Sequence, residues 1–264
     1  MNPFLTTFNR TTPERITRQD NSEYLSSGNH VFSTTAQPQL QTINSTAYPL
    51  VLPWVVDPQF DELTQAGWLT TTSKRVMDIT GALLVTIFVL SWLVPILGVL
   101  ILWESEGPIF FMQPRSGRRG RPFYCMKFRT MYNRPQSTFE QTRQQDSRIT
   151  RVGAFLRKTN LDEMPQFINV LMGDMSLVGP RPHALQHDAQ HWDSSAYRKR
   201  YWVKPGITGL AQARGNRGET QRGFMMEHRI RYDHFYIKRQ SVSLDVKICL
   251  ATLGVMLKGD KNAW

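Results

Sequence analysis

One long apolar stretch constrains the fold of this chain more than any other feature. Met77–Trp103 contains 27 residues and a single charged side chain, Asp78, which lies at its edge. An α-helix rises about 1.5 Å per residue, so a straight helix of this length spans roughly 40 Å, enough to cross the hydrocarbon core of a bilayer. The chain is therefore predicted to associate with a membrane through this segment.

The residues in and around this stretch favour a helix that enters and leaves the membrane on the same side. Pro95 lies inside it, and Ser91 precedes the proline by one turn, where its hydroxyl can bond a backbone carbonyl and favour a bend. Basic residues flank both ends, which a crossing helix fits badly; they are Lys74 and Arg75 before it, and Arg115, Arg118, Arg119 and Arg121 after it. A re-entrant hairpin broken near Ser91 and Pro95 is predicted, with a crossing helix kinked at Pro95 as the alternative.

The distribution of charge indicates a body that binds phosphates. The 264 residues carry a formal net charge of +11, yet residues 1–73 hold three arginines against six acidic residues, which gives −3 and leaves +14 for the remainder. Such a body attracts nucleic acid, anionic lipid or a nucleotide substrate. The sequence has no nucleic-acid recognition motif, and the apolar stretch argues against that partner. Cys125 and Cys249 lack metal-ligand spacing and are typical of ordinary packing in a reducing compartment.

Candidate catalytic residues lie within residues 146–182, where the adjacent carboxylates Asp162 and Glu163 are surrounded by cations. The cations are Arg148, Arg151, Arg157, Lys158 and Arg181. Two acids among so much positive charge indicate a site for a metal ion and a multiply charged phosphate. Pro165 predicts that a short helix starts directly after the pair, where the helix dipole favours anions. The alternative is an ordinary helix start, with Asn160 as the N-cap and Glu163 completing a capping box.

A β-hairpin is predicted between the apolar stretch and the carboxylate pair. Residues 109–113 and 123–129 have the composition of strands, and a basic turn joins them. Alternation along the second strand places Lys127 and Arg129 on one face. There the two cations can bind a diphosphate, Lys127 through its compact charge and Arg129 through its paired N–H donors. The alternative is a solvated basic edge strand.

The remaining segments carry weaker signals. Residues 1–47 lack periodicity and are predicted to be largely disordered, and their start lacks a signal-peptide pattern, so no export is expected. Residues 132–145 are predicted to form a polar linker, and the glycines of 204–220 match no nucleotide-binding fingerprint. Two helices are predicted over 225–239 and 241–259. The second is mostly apolar, which together with the upstream hairpin favours a position in the membrane interface over the core.

Five motifs occur in order along the chain. They are KRVMD (74–78), KFRTM (127–131), DSRITRVGAFLRKTNLDEMPQ (146–166), GDMSLVGPRP (173–182) and KPGITGLAQ (204–212). Together they resemble the bacterial sugar transferases, monotopic polyprenyl-phosphate hexose-1-phosphate transferases that start exopolysaccharide and glycan assembly. RGET (217–220), followed by residues 232–245, looks most like the members that transfer glucose 1-phosphate to undecaprenyl phosphate.

The resemblance implies a role for each candidate residue. Asp162 would attack the β-phosphorus of a UDP-hexose, expel UMP and carry the phosphosugar on its carboxylate. Glu163 would help Asp162 to hold Mg²⁺ and would manage the proton of the acceptor. Four cations would bind the substrate phosphates, the last of them from a rigid Pro-Arg-Pro turn: Lys127, Arg129, Arg157 and Arg181.

The resemblance also implies partners and a location. The partners would be a UDP-sugar, undecaprenyl phosphate and membrane lipid, without nucleic acid, at the cytoplasmic face of the inner membrane. A homo-oligomer or downstream glycosyltransferases would be further partners. Galactose or an N-acetylated sugar is the alternative to glucose, and a catalytically silent membrane scaffold is a second alternative, against which the intact carboxylate pair argues. The family often has an adjacent Ser-Pro where this chain separates Ser91 from Pro95, which leaves the bend position open.

These elements predict an α+β fold, namely a mostly helical, membrane-associated catalytic domain with a re-entrant helix hairpin, a small β-hairpin and amphipathic interface helices. Three parts are expected. Residues 1–73 form an N-terminal extension that is disordered or docked on the body, and 74–106 form the re-entrant hairpin. Residues 107–264 form the cytoplasmic phosphoglycosyl transferase domain.

Overall fold

The computed structural model describes residues 68–133, 146–192, 194–215 and 223–258. These residues belong to the second of two units into which the chain divides, Thr46–Trp264. The predictions for the N-terminal extension up to residue 67, for most of the polar linker and for the RGET motif lie outside the described residues.

The described chain is mostly helical, as the sequence predicts. Its α-helices are α1 (Trp68–Val85), α2 (Ser91–Glu104), α3 (Arg151–Thr159), α4 (Gln166–Met172), α5 (Leu185–His191), α6 (Ser195–Arg198), α7 (Leu210–Ala213), α8 (Gly223–Arg239) and α9 (Val242–Lys258). Its strands are β1 (Phe110–Ser116), β2 (Pro122–Phe128), β3 (Ser176–Val178) and β4 (Gly206–Thr208). The strands β1 and β2 form the predicted antiparallel hairpin, whereas the parallel pair β3 and β4 was not predicted.

The helices α1 and α2 form one long apolar run, joined by a π-helical segment, Thr86–Leu90. The run Thr71–Glu104 is long and apolar enough to cross a membrane, by length and composition. Large apolar side chains stand exposed along it, including Phe88 at 67 % and Trp103 at 87 %. Because a buried core helix would hide such side chains, the exposure indicates an apolar solvent around this run.

The predicted break takes the form of a widened helical turn rather than a loop. The π-helical segment ends directly before Ser91, whose hydroxyl donates to the carbonyl oxygen of Ile87 at 2.5 Å. The indole N–H of Trp92 donates to the carbonyl of Phe88 at 2.7 Å. These bonds supply donors to carbonyl groups within an irregular turn, which matters where no water can do so. Pro95 lies inside α2, and the same-side topology stays a prediction.

The start of the apolar run is anchored by a buried ion pair. The ammonium of Lys74 donates to Oδ2 of Asp245 at 2.6 Å and to the carbonyl of Val178 at 3.0 Å. The hydroxyl of Tyr236 donates to the other carboxylate oxygen of Asp245 at 2.8 Å. One turn later, Asp78 accepts hydrogen bonds from the hydroxyl of Ser176 and the backbone N–H of Leu177, both at 2.9 Å. The motif KRVMD therefore ties α1 to β3 and α9.

The end of the run is held by Arg129. Its guanidinium donates to the carbonyl oxygens of Glu106 at 2.8 Å and Ser105 at 2.5 Å. Carbonyl groups at a helix C-terminus lack intrahelical partners and attract cations. The sequence placed Arg129 beside Lys127 on one strand face. The structure separates them, because β2 ends at Phe128 and the next side chain turns to the end of α2.

The last residue of α2 also caps α3. The carboxylate of Glu104 accepts from the backbone N–H groups of Arg151 at 2.6 Å and Val152 at 2.8 Å. Thr150 supplies a second cap, since its side chain accepts from the N–H of Gly153 at 2.8 Å. Gly153 is required here, because a Cβ would collide with the carbonyl oxygen of Thr130.

The helix α4 is fixed against β2 by one buried amide. Asn169 accepts from the backbone N–H of Met126 at 2.9 Å and donates to the carbonyl of Tyr124 at 2.8 Å. Its side chain thus pairs with the strand as a neighbouring strand would. This contact holds the turn that precedes α4 beside the end of β2, where Lys127 lies.

The segment between residues 183 and 203 forms the short helices α5 and α6 and a 3₁₀ turn. The sequence predicts a helical, polar segment with aromatics suited to an interface. The aromatics are instead buried in the core, where Tyr197, Tyr201 and Trp202 pack with Met226 of α8. They face inward because the 3₁₀ turn over Lys199–Trp202 packs against α8.

Candidate active site

The carboxylate pair lies in a tight link between two helices. The helix α3 ends at Asn160, which adopts the left-handed conformation with φ 57°. A 3₁₀ turn over Leu161–Glu163 follows, and Pro165 precedes the first residue of α4. The pair therefore does lie before a short helix, as predicted. The capping-box alternative is wrong, because Asn160 makes no side-chain cap and the Glu163 carboxylate points to cations instead.

Glu163 is held by two cations. Lys127 donates to its Oε1 at 2.6 Å, and Arg181 donates to Oε2 at 2.9 Å and also to Oε1. Burial alone would raise the pKa of this carboxyl, but the charges of Arg181 and Lys127 outweigh burial and hold the pKa well below its usual range. Glu163 is thus a permanently ionised, positioned carboxylate.

Asp162, its neighbour, is in a different state. It is buried, with 9 % of its surface exposed, and the nearest ion-pair contact is 3.9 Å from its Oδ2 to Nζ of Lys127. Its carboxylate makes no hydrogen bond to any residue in the described ranges. Burial raises its pKa, Lys127 works in the opposite direction, and the adjacent charge of Glu163 raises the pKa further. A desolvated carboxylate of this kind is more basic than an ordinary one, and its oxygens are not engaged by hydrogen bonds within the described chain.

Arg157 comes to the site from the last turn of α3. Its Nε donates to the hydroxyl of Thr130 at 2.9 Å, and its two terminal nitrogens make no hydrogen bond within the described chain. Burial lowers its pKa, an effect that the charge of Asp162 partly offsets. A guanidinium with two unengaged nitrogens beside a carboxylate can receive a phosphate.

The backbone of the turn that carries Arg181 is fixed by hydrogen bonds from two other arginines. Its own carbonyl oxygen accepts from Arg200 at 2.9 Å, and Arg200 is fixed in turn by Asp233 at 2.6 Å. Arg115 donates to the carbonyl of Pro182 at 2.5 Å. Sequence reasoning missed these supports, because nothing in the sequence pairs Arg200 with Asp233, which lies 33 positions away.

Behind the turn lies a buried polar cluster that the sequence did not reveal. Within the described residues, ligand atoms of His183, His187 and Asp188 come within 4.8 Å of one another. The hydroxyl of Tyr197 donates to Asp188 at 2.6 Å, and Arg200 lies 3.1 Å from Nδ1 of His183. Burial and then Arg200 lower the pKa of His183 well below its usual value. A fixed arginine beside these groups disfavours a cation, so the cluster supports Arg181 rather than a metal.

The predicted site residues therefore fall into two places. Four of them come together in one cluster of charged side chains: Lys127, Asp162, Glu163 and Arg181. Arg157 faces this group from α3, and its charge interaction with Asp162 links the two. Arg129 lies at the end of α2, so phosphate binding by Arg129 stays a prediction while its contacts with carbonyls are structural. Ser91 and Pro95 lie in the apolar run, as described above.

The chain is similar to known proteins over most of the described region. The profile of one protein family, described as bacterial sugar transferase, matches residues 69–259. Three similar proteins share the name UDP-glucose:undecaprenyl-phosphate glucose-1-phosphate transferase. The protein of Xanthomonas campestris pv. campestris is 49 % identical over 165 residues, which cover 61 % of this chain and 34 % of that protein.

The other two relatives extend the match. The protein of Klebsiella pneumoniae is 43 % identical over 200 residues, covering 75 % of this chain and 42 % of that protein. The protein of Caulobacter vibrioides is 45 % identical over 193 residues, covering 72 % of each. The chain therefore spans less than half the length of the first two relatives and most of the third.

Proposed function

The chain belongs to the bacterial sugar transferase family, and we propose that it transfers glucose 1-phosphate from UDP-glucose to undecaprenyl phosphate and releases UMP. The names of the three relatives support the substrates. One observation carries the chemistry: two cations hold Glu163 in place, while Asp162 beside it is buried and unbonded in the described chain. That arrangement suits a nucleophile next to a fixed charge.

In the first step, a carboxylate oxygen of Asp162 attacks the β-phosphorus of the donor. The bond between this phosphorus and the oxygen that bridges to the α-phosphate breaks, and UMP leaves with that oxygen. The phosphosugar stays on Asp162 as an acyl phosphate. In the second step, a phosphate oxygen of undecaprenyl phosphate attacks the same phosphorus, which frees the carboxylate and yields the undecaprenyl diphosphate sugar.

The cations neutralise the charge that both steps bring together. Lys127 and Arg181 bond to Glu163, and the charge of Arg157 interacts with Asp162. Phosphoryl transfer depends mainly on positioning and on stabilising negative charge, so three fixed cations supply most of what the reaction requires. The rigid Pro-Arg-Pro turn keeps Arg181 in place, so no free energy is needed to reorient this side chain when the transition state forms.

Mg²⁺ fits the same residues. Asp162 offers carboxylate oxygens that make no hydrogen bond within the described chain, and Glu163 offers the remaining lone pairs of its two oxygens. Hard oxygen ligands from one or two carboxylates, completed by substrate phosphates and water, are what this ion prefers. When bound, Mg²⁺ would neutralise charge on the diphosphate.

The membrane arrangement is part of the proposal. The apolar run over α1 and α2 would enter and leave the cytoplasmic leaflet of the inner membrane, widened at Thr86–Leu90. The helix α9 would lie in the interface, since Leu250 and Leu253 are 63 % and 55 % exposed on it. Cysteines introduced near positions 74 and 106 should both be labelled from the cytoplasm. Labelling from opposite sides would establish a crossing helix.

The reaction is tested by identifying the nucleotide product. The purified chain is incubated with UDP-glucose and undecaprenyl phosphate, and the expected product is UMP. Release of UDP would indicate a glycosyltransferase, and absence of both would indicate the silent scaffold. Parallel reactions with UDP-galactose and with N-acetylated UDP-sugars decide between glucose and the alternative donors.

The covalent step needs a separate experiment. UDP-glucose labelled in the β-phosphate should leave label on the protein when the acceptor is omitted, and Asp162→Asn should carry none. Transfer without a labelled protein, together with activity of the variant, would establish direct displacement. A homo-oligomer and downstream glycosyltransferases as partners are tested by the mass of the purified complex.

A further inference from the structure

A cationic cleft lies at the turn of the β-hairpin. It has a volume of about 340 Å³ and is lined by residues 117–119 and 121–123 on one side and by Gly173, Asp174 and Lys204 on the other. Four of its side chains are basic: Arg118, Arg119, Arg121 and Lys204. Asp174 is the single acid in its lining. The cleft is therefore a concave site with a large excess of positive charge.

The turn presents its arginines through a fixed backbone. The N–H of Gly117 bonds the carbonyl of Arg121 at 2.8 Å, and the N–H of Gly120 bonds the carbonyl of Gly117 at 3.0 Å. Arg119 adopts the left-handed conformation, with φ 55°. Arg118 is further anchored by a bond from its Nε to the carbonyl of Trp202 at 3.2 Å. A non-glycine residue held at positive φ is uncommon and concentrates at functional sites.

On the far side of the cleft, Lys204 lies in the field of the cation Arg75 and of the acids Asp78 and Asp174. Burial lowers the pKa of Lys204, and the neighbouring charge of Arg75 lowers it further. Within the described ranges Lys204 forms no ion pair, and the same is true of the side chain of Arg121. Four cations against one acid in the lining leave an excess of positive charge, and a bound anion relieves the repulsion between the cations.

The cleft is separate from the carboxylate pair. It adjoins Pro122, the first residue of β2, whereas Lys127 lies five residues along the same strand. At about 3.3 Å per residue these positions are roughly 17 Å apart. On its other side the cleft borders the start of the apolar run, since Arg75 lies near Gly173 and two positions before Met77.

We propose that this cleft binds a phosphate-bearing anion, and that its occupant is the headgroup of an anionic membrane lipid. Arginine forks and a lysine are the groups that recognise phosphate. The volume suits one headgroup rather than a polymer. The position beside the first residues of the apolar run places the cleft at the depth where lipid headgroups lie, and basic residues there attract anionic lipids.

The test uses the full chain in a non-ionic detergent and measures its thermal unfolding midpoint. Short-chain phosphatidylglycerol is titrated against phosphatidylcholine of the same chain length. Inorganic phosphate is titrated against chloride at constant ionic strength. A saturable ligand at ten times its Kd should raise the midpoint by about 3–6 °C.

Two matched variants distinguish binding at the cleft from a general effect of the net positive charge. R118Q/R119Q/R121Q removes three positive charges from the turn, and R231Q/K238Q/R239Q removes three from exposed positions of α8. The turn variant should lose most of the shift, the α8 variant should keep it, and both should still release UMP. UMP release is also the check that the turn variant is folded.

The outcomes are decisive. A shift with phosphatidylglycerol alone identifies the lipid headgroup, and an equal shift with inorganic phosphate identifies a free phosphate as the occupant. An equal loss of the midpoint shift in both variants, or no shift with either ligand, would contradict the proposed binding site. Because UMP release is measured on the same samples, failure of the cleft is distinguishable from failure of the proposed reaction.

Discussion

Two buried aspartates, Asp162 and Asp245, each lie near a lysine and yet have opposite surroundings. Both oxygens of Asp245 are engaged, one by Lys74 at 2.6 Å and the other by Tyr236 at 2.8 Å. Asp162 lies 3.9 Å from Lys127, whose short contact goes to Glu163 instead. Burial raises the pKa of both aspartates. The burial of a carboxylate therefore does not distinguish an anchor from a reactive group, whereas the state of its oxygens does.

The difference follows from where the cations are directed. At the base of the apolar run, Lys74 bonds Asp245 and offsets part of its desolvation. In the active site, Lys127 and Arg181 are directed to Glu163, so Asp162 is desolvated and left without a bonding partner in the described chain. The carboxylate of the anchor, Asp245, has its charge paired, whereas the carboxylate of Asp162, the proposed nucleophile, keeps lone pairs that a substrate could use.

The largest expected effect separates the two aspartates by activity. Asp162→Asn should lower the rate of UMP release by at least about 10³-fold, because the attacking oxygen is lost. Its melting temperature should not fall, since the change removes a buried charge beside Glu163. Asp245→Asn should keep UMP release per folded molecule. Near-normal activity of Asp162→Asn would make the two aspartates equivalent and would contradict the proposed mechanism.

The second effect separates the two lysines by stability. Lys74→Met leaves Asp245 as an unpaired buried charge, so the free energy of unfolding should fall by about 3–5 kcal/mol. Lys127→Met should cost less, because Arg181 still holds Glu163. Denaturant unfolding in detergent micelles measures both. The double variant Lys74→Met/Asp245→Leu should recover part of the loss, and no recovery would show that the ion pair is not the cause.

The third effect concerns the geometry of the active-site cation. Arg181→Lys keeps the charge but loses the two-pronged contact, which for a charged hydrogen bond is worth about 1.5–3 kcal/mol. This corresponds to a decrease in kcat/KM of roughly ten- to a hundredfold if the contact is made in the transition state. Unaltered kinetics with a lowered melting temperature would show that Arg181 only supports the fold.

The smallest effect is a pH dependence of stability at the anchor. Burial raises the pKa of Asp245, and Lys74 and Tyr236 offset this only in part. A raised pKa in the folded state means that the folded chain binds the proton more tightly. The contribution of Asp245 is thus present below the unfolded pKa and is lost as the pH rises through the folded value, with a slope of at most about 1.4 kcal/mol per pH unit. Asp245→Asn should lack this decline, and an unchanged pH profile would contradict it.

The sequence predicted the parts of the molecule that depend on local pattern. The apolar run, the β-hairpin, the short helix after Pro165 and the helices α8 and α9 each have a period or a turn signal of their own. The adjacent acids among cations marked the candidate site for the same reason. These features lie close together in the sequence, so a short window contains the whole signal.

The sequence did not predict contacts between distant segments. The parallel strands β3 and β4 have three residues each and carry no alternation that could be recognised. The pair Arg200 and Asp233 supports the Arg181 turn from two different elements. Strand alternation indicated phosphate binding by Arg129, which stays a prediction, but gave no sign of its contacts with the carbonyls at the end of α2. Contacts of this kind depend on tertiary packing.

Glu104 gives the arrangement a mechanical consequence. This residue ends α2, yet its carboxylate holds the first amides of α3, and α3 leads at its other end into the turn that carries Asp162. The helix proposed to lie in the membrane therefore also caps the helix that leads to Asp162. A displacement of the apolar helix would therefore pull on the first amides of α3, so that the two segments are mechanically coupled through one carboxylate.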